Sequence, residues 1–374
     1  MKLRKITTLI MAAANASAAA VTPPSASAST SGIMDKASND NTPISVTLLL
    51  DFDGTITQND TIGILAELAI RRSPDPDCTR ALWEGIVNDY ISDHEAHVKG
   101  YVPRAEDRKW LSQEFAFLES LRPVEAASAE RVEQSGLFKG LSDEDLREWG
   151  RVCVSIGNGK GLVGTLDYER AHVGLRRGFQ PFVSKAVQKG WDLAVISVNW
   201  SEAFVEGAIL GAMRIGKTPS DKGYDEYDEM SYRMAKQVNS IQSPEGTVVG
   251  PKDINGTRAP VMMTSRDKLE AMYRLVAMEK QRKQRDGSWT REAKHITIYV
   301  GDSTTDLQCL NEAHAGIIMA DDENNKVVKA YERMGMKVQH ASKWKKGGFD
   351  KIWARNYTEI LESGFIEGIM ESWR

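Results

Sequence analysis

The chain predicts an α/β fold: a doubly wound parallel sheet with a helical cap domain inserted after the first strand. Three observations carry this. Val46–Leu50, Trp191–Ser197, His295–Val300 and Ala315–Met319 are short runs rich in aliphatic and β-branched residues. Such runs suit strands buried on both faces, as parallel strands are. Helical patterns separate the last three runs, as parallel crossovers require. Residues 61–174, between the first and second runs, carry helical patterns and no convincing strand. The predicted division is an N-terminal extension over 1–44, a core made of 45–60 and 175–374, and a helical cap over 61–174.

The first strand ends in Asp51-Phe52-Asp53-Gly54-Thr55, where Gly54 lets the chain leave sharply. Asp60 or Thr61 can cap a helix through Leu65 and Leu68. Leu82, Ile86, Tyr90 and Ile91 mark a helix over 78–98, and Phe117 and Leu118 lie in a longer one over 104–132. Trp110, Phe115 and Trp149 are expected in the core of the insertion. Ser142 and Asp145 make a capping-box-like start for a helix through Leu146, Trp149 and Val152. Phe179–Gln188 reads as a helix ended by Gly190, and the second strand is followed by a helix from Ser201. Residues 211–262 read as irregular, with a hairpin of Gln237–Ile241 and Thr247–Val249 and an excursion over 221–228. Thr264 or Ser265 opens a helix through Lys268, Met272 and Leu275. The third strand ends in Gly301-Asp302-Ser303-Thr304-Thr305-Asp306, a helix comes next, and Ala315–Met319 is the fourth strand.

Composition excludes several classes. The net charge of -4 exerts no general pull on nucleic acid, and no basic cluster is interleaved with aromatics. The most basic stretch, over 280–294, reads as a solvated helix end and loop. Cys78, Cys153 and Cys309 are odd in number and widely spaced, which fits reduced thiols better than a disulfide framework or zinc site. No segment after the N-terminal tract has the roughly 18 continuous apolar residues of a membrane span. That tract has Lys2, Arg4 and Lys5, then an Ala/Ser/Thr/Pro stretch, and no acid before Asp35. It reads as a disordered extension of a cytoplasmic protein, with a mitochondrial presequence as the alternative. Secretion stands behind both, although Ala16-Ser17-Ala18 imitates a cleavage site. The acceptor patterns at Asn59 and Asn199 would place glycans beside the predicted site.

The chemistry concentrates at strand ends. Open α/β sheets bind ligands beyond the carboxyl ends of their strands. Asp51 and Asp53 stand there, and such a pair can hold a divalent cation and keep one carboxylate for reaction. Ser197, Lys268 and the pair Asp302/Asp306 occupy comparable strand-end or helix-start positions. Each has a plainer reading alone: a solvated turn, a strand-end cap, or a capped helix start. Lys268 competes with Arg266 and Lys252 for the cationic role. Gly157-Asn158-Gly159-Lys160-Gly161 lacks nucleotide-loop spacing and reads as a return from the insertion. His94 and His97 share a helix face without a third ligand and read as a surface pair.

In this order and context, Asp51-Phe52-Asp53-Gly54-Thr55, Ser197, Lys268 and Gly301–Asp306 resemble the four motifs of the haloacid dehalogenase superfamily, over about residues 46–340. The first and fourth are specific together; the second and third are single residues known by position. The resemblance implies Asp51 as a nucleophile that forms an aspartyl-phosphate. It implies Asp53 as general acid, with its backbone carbonyl a metal ligand. Mg²⁺ is the implied cofactor, held by Asp51, Asp53 and Asp302, with Asp306 supporting from behind. Lys268 offsets charge, while Ser197, Val198, Asn199, Gly54 and Lys268 hold the phosphate. A glycine pair often follows the serine in such phosphatases; Val198-Asn199 is bulkier.

Asp53 favours phosphoester hydrolysis, because an alkoxide leaving group needs a proton and a halide does not. A phosphomutase and a non-catalytic metabolite-binding or regulatory protein are the alternatives. The complete set Asp51, Asp53, Lys268, Asp302 and Asp306 favours an enzyme. The insertion is similar to the caps of the phosphoserine phosphatase branch, which implies a small phosphorylated metabolite as partner. The first motif, continuing to Asp60-Thr61, is similar to phosphatases of the diketo-methylthiopentane, phosphocholine and thiamine-phosphate types, and the chain resembles uncharacterised fungal proteins of this branch.

Overall fold

The structure, a computed structural model, describes residues 44–157, 171–216, 231, 234–253, 255–285, 287 and 294–373. The N-terminal tract through 43, the stretch after Gly157 and the excursion over 221–228 lie outside the described residues. The strands in chain order are β1 (Ile44–Leu50), β2 (Asp192–Ser197), β3 (Ala235–Val238), β4 (Ser240–Gln242), β5 (Thr247–Val249), β6 (Lys294–Gly301), β7 (Ala315–Met319), β8 (Gln339–His340) and β9 (Lys351–Ala354). Seven form one sheet in the order β3-β2-β1-β6-β7-β9-β8, with every pairing parallel. The chain winds outward from β1 in both directions, so the strand order switches beside β1 and β6. Successive β1 residues feed opposite faces: Leu48 and Leu50 join one apolar cluster and Leu49 the other.

Three strands of this sheet are not marked in the sequence pattern. The residues of β3 read as part of a hairpin arm over Gln237–Ile241. Instead the arm divides at Asn239, whose side chain bonds Met262 on both its N–H and its C=O, and the Val198 carbonyl. Residues before Asn239 extend the main sheet, and those after it pair antiparallel with β5. β8 and β9 are short and lie late in the chain, where few aliphatic residues mark them.

Among the described residues, β1 is followed by a block of five helices: α1 (Ile62–Arg72), α2 (Pro76–Gly100), α3 (Leu111–Ser120), α4 (Arg122–Ser135) and α5 (Asp143–Gly157). The single helix expected over 104–132 is broken. A short 3₁₀ turn precedes α3, and Pro123, which cannot donate to the preceding turn, opens α4. Trp110 is 70 % exposed before α3, so it is not core; Phe115 is half-buried, and Trp149 is buried with its indole N–H on the Ile64 carbonyl at 2.8 Å. On α2 the buried side chains are Trp83, Ile86 and Val87, while Leu82 faces solvent.

The other helices among the described residues are α6 (Phe179–Gln188), α7 (Glu202–Arg214), α8 (Ser265–Arg285), α9 (Leu307–Glu312), α10 (Lys326–Arg333), α11 (Tyr357–Ser363) and α12 (Phe365–Ser372). Gly207 on α7 meets the Arg147 carbonyl of α5 so closely that a side chain there would collide. Ion pairs tie the helical block to the sheet's flanking helices: Arg122 to Asp267 at 2.8 Å, Glu114 to Arg333 at 2.6 Å and Arg147 to Glu206 at 2.9 Å. The basic stretch is partly docked, since Lys283 reaches Asp192 and Ser45.

Candidate active site

Strand register builds the site. Leu50 lies opposite Val300 on one side and Val195 on the other. Asp51 N–H still donates to the Val300 carbonyl at 2.9 Å, so Asp51 leaves the sheet beside Gly301 and Asp302. The chain then folds on itself: Ile56 and Thr57 N–H both donate to the Phe52 carbonyl. Gly54 has φ +73° and packs so close to Asp302 that a Cβ would strike its carboxylate. Only glycine combines that conformation with that approach. Gly54 N–H donates to Thr57 Oγ1 at 3.1 Å, and Thr55 Oγ1 donates to Asp302 Oδ1 at 3.1 Å.

Asp51, Asp302 and Asp306 bring carboxylate oxygens within 4.8 Å of one another, all three buried or half-buried. Acids far apart in the chain thus meet at one rim of the sheet. Lys268 Nζ, buried, donates to Asp306 Oδ1 at 2.7 Å and forms an ion pair with Asp51 Oδ1 at 2.9 Å. That second contact is poorly aligned, and Asp51 Oδ1 has no hydrogen-bond partner. Arg266 is instead exposed and pairs with Glu270, and Lys252 is exposed. Asp306 accepts from Tyr299 Oη at 2.8 Å and from Asp302 N, Ser303 N and Ser303 Oγ at 3.0–3.1 Å. It therefore shapes the fourth-motif loop and holds Lys268. Asn325 caps α10 with its carbonyl and donates its amide to the Asp302 carbonyl at 2.9 Å.

The charge balance is uneven. Burial and then Asp306 push the Asp51 carboxyl up to about 7 against the pull of Lys268. Burial, Asp306 and Asp51 hold Asp302 well above the usual carboxylate range. Burial opposes the Lys268 charge, but Asp306 and Asp51 outweigh it and raise the ammonium above its ordinary range. Among the described residues three clustered acids lie about one ammonium, and the buried Asp51 Oδ1 has no hydrogen-bond donor beyond its ion-pair partner Lys268. Hard oxygen donors in excess of local positive charge fit a divalent cation such as Mg²⁺.

Asp53 is buried and heavily gripped. Thr61 N–H and Oγ1 donate to its Oδ1 at 2.9 and 2.6 Å, and Asn199 Nδ2 donates to its Oδ2 at 2.9 Å. Asn199 also donates to Thr61 Oγ1 at 3.0 Å. Burial and the Asp60 carboxylate raise Asp53 to about 7, while these donors pull the other way. The bulky residue after the second motif thereby has a physical account: the Asn199 side chain positions Asp53. Its backbone N–H lies 3.2 Å from Ser197 Oγ, and Asn199 is fully buried, which rules out a glycan in this fold. Thr61 does not cap α1 with its side chain, because that side chain serves Asp53. Thr57, Thr61, Asn239, Tyr299 and Asn325 join the site without a motif of their own in the sequence. The Asp60-Thr61 pair after the first motif is the one signal that points toward any of them.

Above the rim lies a cavity of about 480 Å³. Asp51, Asp53, Ser197, Val198, Asn199 and Asp302 line its floor. α2 and α4 supply the opposite wall through Trp83, Ile86, Val87, Tyr90, Glu125 and Ala129. His94 also lines it and is half-buried, which corrects its reading as a surface residue; His97 bonds Ser120 Oγ at 2.8 Å.

No family model matches the chain. A CTO1 family protein of Schizosaccharomyces pombe is 24 % identical over 283 residues, covering 74 % of this chain and 82 % of the relative. A solved structure titled a phospho-aspartyl intermediate analogue of phosphoserine phosphatase is 15 % identical, covers 85 % of this chain and 98 % of its own, and gives a TM-score of 0.39. Cytosolic 5'-nucleotidase IIIB bound to cytidine is 13 % identical, with 88 % and 87 % covered and a TM-score of 0.47. In its four motif segments and their meeting at one sheet rim, the chain resembles the haloacid dehalogenase superfamily, and in sequence it is similar to a fungal CTO1 family protein.

Proposed function

We propose that this chain hydrolyses phosphomonoesters of small metabolites through a covalent Asp51 phosphate. The observation that carries the reading is the convergence of Asp51, Asp302 and Asp306, with Asp51 and Asp306 paired to Lys268 and Asp53 in the same cavity floor. An Asp51 oxygen attacks phosphorus in line while the ester oxygen departs on the opposite side. Asp53, in its protonated form, gives that oxygen its proton, and the alcohol leaves. The resulting Asp53 carboxylate then takes a proton from water; the water oxygen attacks phosphorus, inorganic phosphate departs and Asp51 is restored. Burial at about 7 suits Asp53 to both duties near neutral pH. The Ser197 hydroxyl, at the floor, donates to a phosphoryl oxygen, and Lys268 lowers the repulsion between Asp51 and the incoming dianion. Asp51, the Asp53 carbonyl and Asp302 would hold Mg²⁺, which supplies further neutralisation of phosphate charge when bound. The helical wall excludes bulk water, which strengthens each of these interactions.

The test is phosphate release from a panel of phosphorylated metabolites, with Mg²⁺ and with a chelator. The expected result is Mg²⁺-dependent release from at least one of them, and a beryllium fluoride adduct on Asp51. No release from any member, together with no adduct, would overturn the proposal.

A further inference from the structure

The helical wall of the cavity is apolar along most of its length. On α2, Trp83, Ile86, Val87 and Tyr90 follow the i, i+3, i+4, i+7 spacing of one helix face, and all four line the cavity. Besides Tyr90, three polar side chains interrupt this wall: His94 of α2, and Ser128 and the acid Glu125 of α4. Glu125 of α4 lines the same cavity and accepts a hydrogen bond from Tyr90 Oη at 2.9 Å. Among the described residues Glu125 makes no ion pair, and Tyr90 is its one side-chain hydrogen-bond partner. A carboxylate facing apolar surface without a counter-ion is costly. Burial accordingly pushes the Glu125 carboxyl up to about 7, against the hydrogen bond from Tyr90. The indole rings of Trp83 and Trp200, which meet edge to face at 6.5 Å, line the cavity as well. Aromatic faces beside a carboxylate make a surroundings suited to an organic cation.

We infer that Glu125, oriented by Tyr90, is a specificity-determining residue that binds a cationic nitrogen on the leaving group of the substrate. The inference rests on the proposed binding of phosphate over Asp51. It deepens that proposal by naming the substrate class: a phosphomonoester with a flat or apolar body and an amine or protonated nitrogen heterocycle at the far end. The phosphate meets the strand-end floor, where Asp51 is paired with Lys268, the body packs between the apolar faces of α2 and α4, and the nitrogen donates to Glu125.

A matched pair of probes tests this. Tyramine phosphate carries an ammonium that 4-ethylphenyl phosphate lacks, on nearly the same frame. The full chain is assayed with both for kcat/KM, and the Asp51→Asn variant is titrated with both by calorimetry. The expected preference for tyramine phosphate is about tenfold to a hundredfold, the range of one hydrogen bond to a charged group. Glu125→Gln should erase that preference through KM and leave 4-ethylphenyl phosphate within about twofold. Tyr90→Phe, which keeps the ring and frees the carboxylate, should reduce the preference by a smaller factor. Equal binding of the two probes, or binding of neither, overturns the inference. So does a Glu125→Gln variant that loses both probes equally. The unmodified chain alone decides the first point, so a variant that does not fold leaves the test intact. Preferential binding without hydrolysis of either probe would sink the phosphatase reading and support the Glu125 site; equal hydrolysis of both would do the reverse.

Discussion

The cavity's two walls are built on different principles. On the sheet rim almost every polar atom is held by another. Asp306 takes donors from Lys268, Tyr299 and Ser303, and Asp53 takes donors from Thr61 and Asn199. On the helical wall few polar side chains, the bonded pair Tyr90 and Glu125 with His94 and Ser128, sit among apolar ones. A network with nearly every member satisfied fixes one geometry, as the proposed chemistry at phosphorus demands. A mostly apolar wall fixes shape and leaves polar selection to few residues. Substitutions on the rim should therefore change rate or folding, and substitutions on the helical wall should change which substrate is used.

The contrast is sharpest at Asp51. Asp51→Asn keeps shape and hydrogen-bonding capacity but removes the attacking oxygen's charge. Turnover should fall by about 10⁴-fold or more, the scale of losing a covalent nucleophile. The circular dichroism spectrum should be unchanged. Steady-state release by the purified variant at a tenth of the normal rate would remove Asp51 from its role.

Asp53→Asn should slow turnover by about 10²- to 10⁴-fold, the range of general acid–base catalysis. The loss should be greatest for poor leaving groups, which depend most on protonation. Asn199→Ala removes one of the donors to Asp53 and should act in the same direction, by about tenfold. A series of substituted phenyl phosphates measures both. A loss independent of leaving-group pKa would contradict the acid role.

Legibility in the sequence divides along the same line. The first and fourth motifs can be read because a strand fixes where its next residues emerge: register alone carries Asp51 and Asp302 together once β1 and β6 pair. Lys268 is readable from its place at a helix start. The grip on Asp53 is not, because it depends on side chains from α1's start and the loop after β2 turning toward one point. The position of Asn199 suggests a phosphate contact and says nothing of the rotamer that sends its amide to Asp53. The helical wall is least legible. Its periodicity shows helices, yet Pro123 divides one of them, Trp110 faces solvent and Leu82 turns outward. Surface complementarity between helices has no local sequence signal comparable to a strand end.

Lys268 tests whether the rim also carries stability. Among the described residues it is the one ammonium in contact with Asp51 and Asp306, both buried. Lys268→Met leaves two carboxylates unpaired in the interior, a change that typically costs about 3–5 kcal/mol. Urea denaturation in the presence of a chelator should show that loss. An unchanged midpoint would mean the acids are relieved by solvent, and the rim would then be less rigid than its hydrogen bonds imply.

The helical wall should give the smallest effect, and one of opposite sign to the usual behaviour of a paired acid. Glu125 has its folded pKa raised from 4.5 to about 7, chiefly by burial. Between those values the folded chain binds more protons at this site than the unfolded chain does. Its contribution to stability is therefore fully present below about 4.5 and is lost as pH rises through about 7. Glu125→Gln, neutral throughout, should lack this component. The melting temperature of the unmodified chain, relative to Glu125→Gln, should thus decline from pH 5 to pH 8, by about 1–3 °C for a partly solvated group in a chain of this size. Adding tyramine phosphate should flatten the decline, because a bound ammonium favours the ionised carboxylate and lowers its pKa. A difference between the two proteins that does not vary with pH would show that Glu125 is already ionised and solvated. The helical wall would then be as polar as the rim, and the contrast between them would disappear.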